Sequence, residues 1–169
     1  MLAAGYNLVN NYLKEKQLAD EKAKYEEQIA EKLKRLLLEL KKNMVLIEGG
    51  TLSIGSNDGE FDEKPVHEVT VGSFIMGKYE VTQELWEGVM GGNTSKFKTD
   101  ERPVETVSWN DVVEFCNKLS EREGLQKVYS GSGNSITCDF NLNGYRMPTE
   151  AEWEYAARGG NKSKGKKYS

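Results

Sequence analysis

From Leu2 to Leu40 the apolar residues recur at helical rather than strand spacing. Leu2, Tyr6, Val9 and Leu13 step by four, three and four, and Ile29, Leu33, Leu36 and Leu40 repeat the same steps. Leu18 and Tyr25 lie seven apart between them, but the step from Leu13 to Leu18 shifts the phase. No glycine after Gly5 and no proline interrupts the run. The pattern predicts one helix over 1–43 with a narrow apolar stripe and a stutter, as in a short coiled coil. Fully helical, it would extend about 60 Å at the usual rise per residue. Its charges nearly cancel, nine Lys/Arg against seven Asp/Glu. Two readings follow: a stalk or self-association helix, or a solvated helix that only precedes the domain.

Past Asn43 the period changes from helical to alternating. Met44–Ile47 and Thr51–Ile54, separated by Glu48-Gly49-Gly50, predict a hairpin with a glycine turn. Gly55 to Pro65 is an acidic loop holding Asp58, Glu60, Asp62 and Glu63; its spacing is not that of an EF-hand, so a solvated loop is favoured over calcium. His67, Val69 and Val71 alternate as a strand, and Phe74-Ile75-Met76 continue it.

Three helix starts then share one logic. Thr82 caps Gln83–Trp86; Ser108 and Asp111 form an acidic capping box; Thr149 and Glu152 form another. Val81 is placed to staple to Trp86 and Val107 to Val112, and Trp153, Ala156 and Ala157 share a face of the third helix. This pattern predicts that Trp86, Trp109 and Trp153 are all buried against one core. Gly91-Gly92-Asn93, Gly124 and Gly159-Gly160 close the helices. Lys127–Tyr129 and Ser135–Leu142 read as a hairpin around Gly131-Ser132-Gly133-Asn134, which is no phosphate loop because neither a Lys-Ser/Thr pair nor a helix follows. The Lys- and Ser-rich tail, 161–169, has nothing to bury and is expected to fray.

Composition narrows the function classes. With 169 residues, 37% hydrophobic and 30% charged, the chain has room for one domain plus an extension. A net charge of −4 argues against general binding to nucleic acid or anionic membrane, and no apolar run approaches the roughly 18 residues of a membrane span. The first residues lack the pattern of a signal peptide, so the cytoplasm is the default if Met1 is the true start.

Cys116 shares a helical face with Trp109, Val112, Val113 and Leu119, while Cys138 alternates with Ile136, Phe140 and Leu142. Both read as core thiols, their mutual pairing open, and not as a metal pair. The lone histidine, His67, reads as structural. Glu150, Glu152 and Glu154 open a helix, where carboxylates suit the dipole, so paired acid/base work is not assigned to them. The residues themselves nominate no catalytic, cofactor-binding or metal-binding side chain.

The wording of Tyr145-Arg146-Met147-Pro148-Thr149-Glu150-Ala151-Glu152-Trp153-Glu154-Tyr155-Ala156-Ala157-Arg158-Gly159-Gly160 closely resembles the signature of the formylglycine-generating enzyme, or sulfatase-modifying factor, family. The similarity extends over 44–169 and includes Met44–Gly50, Gly77–Gln83 with Trp86, Arg102–Trp109 and Phe115–Glu121. It implies an α+β, C-type-lectin-like domain, with 1–43 a helical extension and 44–169 a partial domain. Active members oxidise a sulfatase cysteine to formylglycine with copper held by a cysteine pair, and they carry calcium; relatives of the same fold modify small thiols with iron or simply bind ligands. The resemblance places the cysteine pair, most substrate-groove residues and the calcium ligands beyond Ser169, so no catalytic residue carries over and no cofactor is expected within this chain. The expectation is therefore half of such an oxidase domain, whose partner would be a sulfatase-like protein or peptide. The alternative is a non-catalytic, lectin-like binding module on a helical stalk.

Overall fold

A computed structural model describes residues 3–162; the Lys-rich tail from 163, and the side chains of 1–7, 62 and 162, lie outside what is described. Helix α1, Ala3–Lys42, is unbroken through the predicted phase shift. Strands β1 (Met44–Ile47), β2 (Gly50–Ile54), β3 (His67–Val71) and β4 (Phe74–Gly77) follow, then helices α2 (Gln83–Met90) and α3 (Trp109–Arg122). A short pair, β5 (Tyr129–Ser130) and β6 (Thr137–Cys138), precedes helix α4 (Glu150–Ala157). The class is α+β.

The first hairpin is not the one the glycines suggested. β1 pairs with β4 and β2 with β3, both antiparallel, and Met44↔Gly77 and Gly50↔Val71 lie in one continuous register. The two ladders thus form one long ribbon, bent where Glu48-Gly49 faces Gly72-Ser73, and its true turn is the acidic loop between β2 and β3. Gly49 is needed for close approach and not for a turn: a Cβ there would lie 2.5 Å from the Val71 carbonyl oxygen and 2.8 Å from the Ser73 nitrogen. The Gly49 N–H donates to Ser73 Oγ across the bend (3.0 Å). The bend also breaks the strand expected to run on from Val71 through Met76.

The core lies between helices. Leu33 and Leu36 of α1 meet Leu85, Trp86 and Val89 of α2, Val113, Phe115, Cys116 and Leu119 of α3, and Val128 and Tyr129 beyond it. The Trp86 and Phe115 rings stack at 4.9 Å. Gly88 lets α1 close in, since a Cβ there would sit 3.0 Å from Leu33 Cδ1. Further up α1, Leu8, Val9, Tyr12, Leu13, Leu18, Tyr25 and Ile29 are exposed.

All three caps form. Thr82, Ser108 and Thr149 accept from Leu85, Asp111 and Glu152 N–H, and the last two capping boxes are reciprocal. Tryptophan burial, however, holds only for Trp86, which is 4% exposed, against 51% for Trp109 and 58% for Trp153. A cap fixes where a helix begins but not its rotation about its own axis. In α4 that rotation is set by Tyr155, which is buried and donates from its hydroxyl to Asn161 Oδ1 (2.5 Å) over the bare Cα of Gly50. Trp153, two residues earlier and about 200° around the helix, must then face out.

Candidate functional site

The signature segment is built as a rigid clamp. Arg146 donates two parallel bonds to Glu152, Nη1 to Oε2 and Nη2 to Oε1, both 2.6 Å. Arg146 Nη1 also donates to the Met147 carbonyl, and Glu152 Oε2 accepts the Thr149 N–H (2.8 Å). One carboxylate therefore completes the helix cap and fixes the preceding loop. The guanidinium hydrogen bonds hold the Glu152 carboxyl below the usual carboxylate range.

Around this clamp lies an aromatic edge. The Arg146 guanidinium covers the Phe140 ring at 4.8 Å, and Phe140 is 60% exposed. The Tyr129 hydroxyl accepts the Met147 N–H (3.0 Å), and its ring meets Trp109 edge-on at 6.4 Å. Asn117 of α3 holds β5 through both its amide atoms, donating to the Tyr129 carbonyl and accepting the Tyr129 N–H. Gly144 admits the loop because a Cβ there would fall 1.9 Å from the Gln126 carbonyl oxygen. Below it Ser120, fully buried, accepts the Tyr145 N–H and donates to the Cys116 carbonyl, each 2.8 Å. The alternation from Ile136 to Leu142 stops short of the expected strand: β6 ends at Cys138, where Asp139 Oδ1 accepts the Asn141 N–H and turns the chain. Phe140 is thereby left outside.

Both cysteines are free thiols. Cys116 is buried in α3, and burial pushes its thiol up to about 12. Cys138 is half-buried; burial raises its thiol too, against the opposing pull of Arg146. A copper site would put charge in an apolar interior, because Cys116 packs in the core with Val113, Phe115 and Leu119. The two thiols do not fit a copper pair, and no group of three or more metal-binding side chains occurs among the described residues. Of the helix-opening carboxylates, Glu152 belongs to Arg146, Glu154 pairs with Arg158, and Glu150 is exposed at the helix start. His67 is exposed, its Nδ1 3.0 Å from the Pro65 carbonyl oxygen. In the acidic loop, Glu63 folds back over Gly59 and its N–H donates to the Glu60 carbonyl.

A residue that sequence reasoning passed over is Gln83, 1% exposed. Its amide donates to the Phe97 and Pro103 carbonyls (3.0 and 3.2 Å) and accepts from Asn93 Nδ2 and the Thr99 N–H (3.0 and 3.2 Å). All four hydrogen-bonding positions of one side chain thus organise the 91–106 loop. Its place in the Gly77–Gln83 motif was the available signal; its polarity pointed to the surface.

Comparison with known proteins gives this geometry its lineage. The profile of the sulfatase-modifying factor enzyme 1-like domain matches residues 30–169, beginning inside α1 just before the leucines that enter the core. The chain is 42% identical over 142 residues to the chaperone protein LppX of Paenibacillus barcinonensis, covering 75% of this chain and 49% of that protein. It is 30% identical over 153 residues to the inactive C-alpha-formylglycine-generating enzyme 2 of Bos taurus, covering 70% and 49%. Among solved structures, Treponema denticola variable protein 1 superposes with a TM-score of 0.62 at 36% identity, over 69% of this chain and 52% of that one. The chain spans about half the length of these curated relatives. It belongs to the sulfatase-modifying factor (formylglycine-generating enzyme) domain family.

Proposed function

We propose that the chain is a non-catalytic, protein-binding member of its family, and that it holds a polypeptide partner on the aromatic edge around the Arg146–Glu152 clamp. The carrying observation is that Trp109, at the start of α3, and Phe140, just after β6, stand more than half exposed, the first against the Tyr129 ring and the second under the Arg146 guanidinium. Large aromatics beside an arginine, exposed but conformationally fixed, are the side chains that dominate protein interfaces, because they bury much area while losing little rotamer freedom. Two relatives, one a chaperone and one an inactive enzyme by name, run in the same direction.

The test has two arms. The chain is incubated with copper, oxygen and a peptide carrying a sulfatase active-site cysteine, and aldehyde formation is followed by mass spectrometry. In parallel, light scattering follows suppression of aggregation of a model client, with W109S/F140S as the variant. The proposal expects no aldehyde, and suppression that the double substitution removes. Aldehyde formation, or suppression indifferent to the substitution, overturns it. The second reading, a portion of a formylglycine-generating oxidase, is favoured by family membership; without a copper pair it too yields no aldehyde, and suppression indifferent to the double substitution is what would support it.

A further inference from the structure

A groove of about 700 Å³ runs between the last turns of α1 and the segments that lead into α2, on elements other than those of the aromatic edge. Its apolar lining is made by Leu36, Leu40, Val81, Leu85 and Pro103. Its walls carry Glu39, Glu80, Glu84, Asp100 and Glu101 against the single Arg35. Of the cations around the walls, Lys32 and Arg35 are paired with the acidic lining, while Lys78 and Arg102 make no ion pair among the described residues. Lys32 pairs with Glu84 at 2.8 Å and Asp100 at 3.6 Å, Arg35 pairs with Glu84 at 3.4 Å, and the Lys78 ammonium lies over the Tyr79 ring. Glu39, Glu80 and Glu101 are exposed and make no ion pair among the described residues.

The groove is preformed. Leu33 and Leu36 dock α1 on α2, the Val104 N–H donates to the Val81 carbonyl (2.9 Å), and Gln83 ties the Pro103 carbonyl down from behind. Fixed walls reduce the ordering cost of binding. An apolar lining among unpaired carboxylates complements one chemistry: an extended segment alternating apolar with Lys or Arg side chains. Its apolar groups would leave water on Leu40, Val81 and Pro103, while its cations would meet Glu39, Glu80 and Glu101.

We propose that this groove is a docking site for a cationic, apolar-alternating polypeptide segment of another protein. Fluorescence anisotropy of a labelled short peptide alternating Lys and Leu, titrated with the full chain, tests it. The expected result is saturable binding that weakens at least about tenfold in E39Q/E80Q/E101Q and between about 50 and 500 mM salt, while E60Q/E68Q, which removes the same sign of charge elsewhere, changes nothing. A peptide with Ser in place of Leu is expected to bind at least about tenfold more weakly, since the apolar lining is then unused. No binding, equal loss in both sets of glutamine variants, or equal affinity for the Ser peptide overturns the proposal. A dimer of the chain that E39Q/E80Q/E101Q dissociates, seen by sedimentation, gives the groove to a second copy and also overturns it.

Discussion

Replacing Glu152 by Gln tests whether the clamp stabilises the domain as the geometry says. The substitution keeps the side chain's shape but removes the charge. Two 2.6 Å bonds from Arg146 and the 2.8 Å bond from the Thr149 N–H lose their charged acceptor, and the new amide presents N–H groups toward guanidinium N–H groups. Breaking a fully buried pair typically costs about 3–5 kcal/mol. Here the Arg146 and Glu152 side chains keep 23% and 13% of their exposure, so solvent relieves part of that and about 2 kcal/mol remains. The weakened cap adds about 0.5–1 kcal/mol. The sum, near 3 kcal/mol, corresponds to a Tm lower by about 6–12 °C for a chain of this size.

Urea unfolding followed by tryptophan emission and far-UV circular dichroism measures the difference, provided the two transitions coincide. Its pH dependence carries a definite sign. The folded carboxyl lies below its ordinary 4.5, so the advantage of Glu over Gln is fully present above that value and is lost as pH falls through the depressed folded value; Arg146 stays charged throughout. A loss under about 1 kcal/mol at neutral pH, or a difference that persists unchanged into strong acid, would refute the reasoning.

Three further outcomes follow from other parts of the structure. Gly49→Ala should cost about 1–3 kcal/mol in urea unfolding, because its Cβ meets backbone that cannot give way, whereas Gly72→Ala across the same bend, with nothing within 4 Å, should fall within about 1 kcal/mol of the parent. Iodide should quench most of the native tryptophan emission, and Trp86→Phe should remove the protected fraction, since Trp109 and Trp153 are exposed and Trp86 is not. An aromatic disulfide reagent at pH 8 should modify Cys138 in the native protein while Cys116 reacts only on unfolding; fast modification of both would contradict the burial and raised thiol of Cys116.

The sequence by itself determined what local chemistry controls. Helix starts were legible at Thr82, Ser108 and Thr149 because a cap involves only residues up to three positions apart. The helical period over Ala3–Lys42, the closure of α4 at Gly159-Gly160 with positive φ, and the family itself were also readable along the chain. Tertiary structure alone decided which strands pair, because Gly49 and Gly50 serve either a turn or a close approach, and the residues they approach, Val71 and Tyr155, lie far along the sequence. It also decided how each helix rolls. A stripe states that a helix has an apolar side, but the side that is buried depends on partners elsewhere, Asn161 and Gly50 for α4 and Tyr129 for Trp109. The candidate site shares that origin. Arg146 finds Glu152 within one short motif and was within reach of sequence, whereas Gln83 at the centre of its loop and the acidic groove above α2 exist only once distant segments meet.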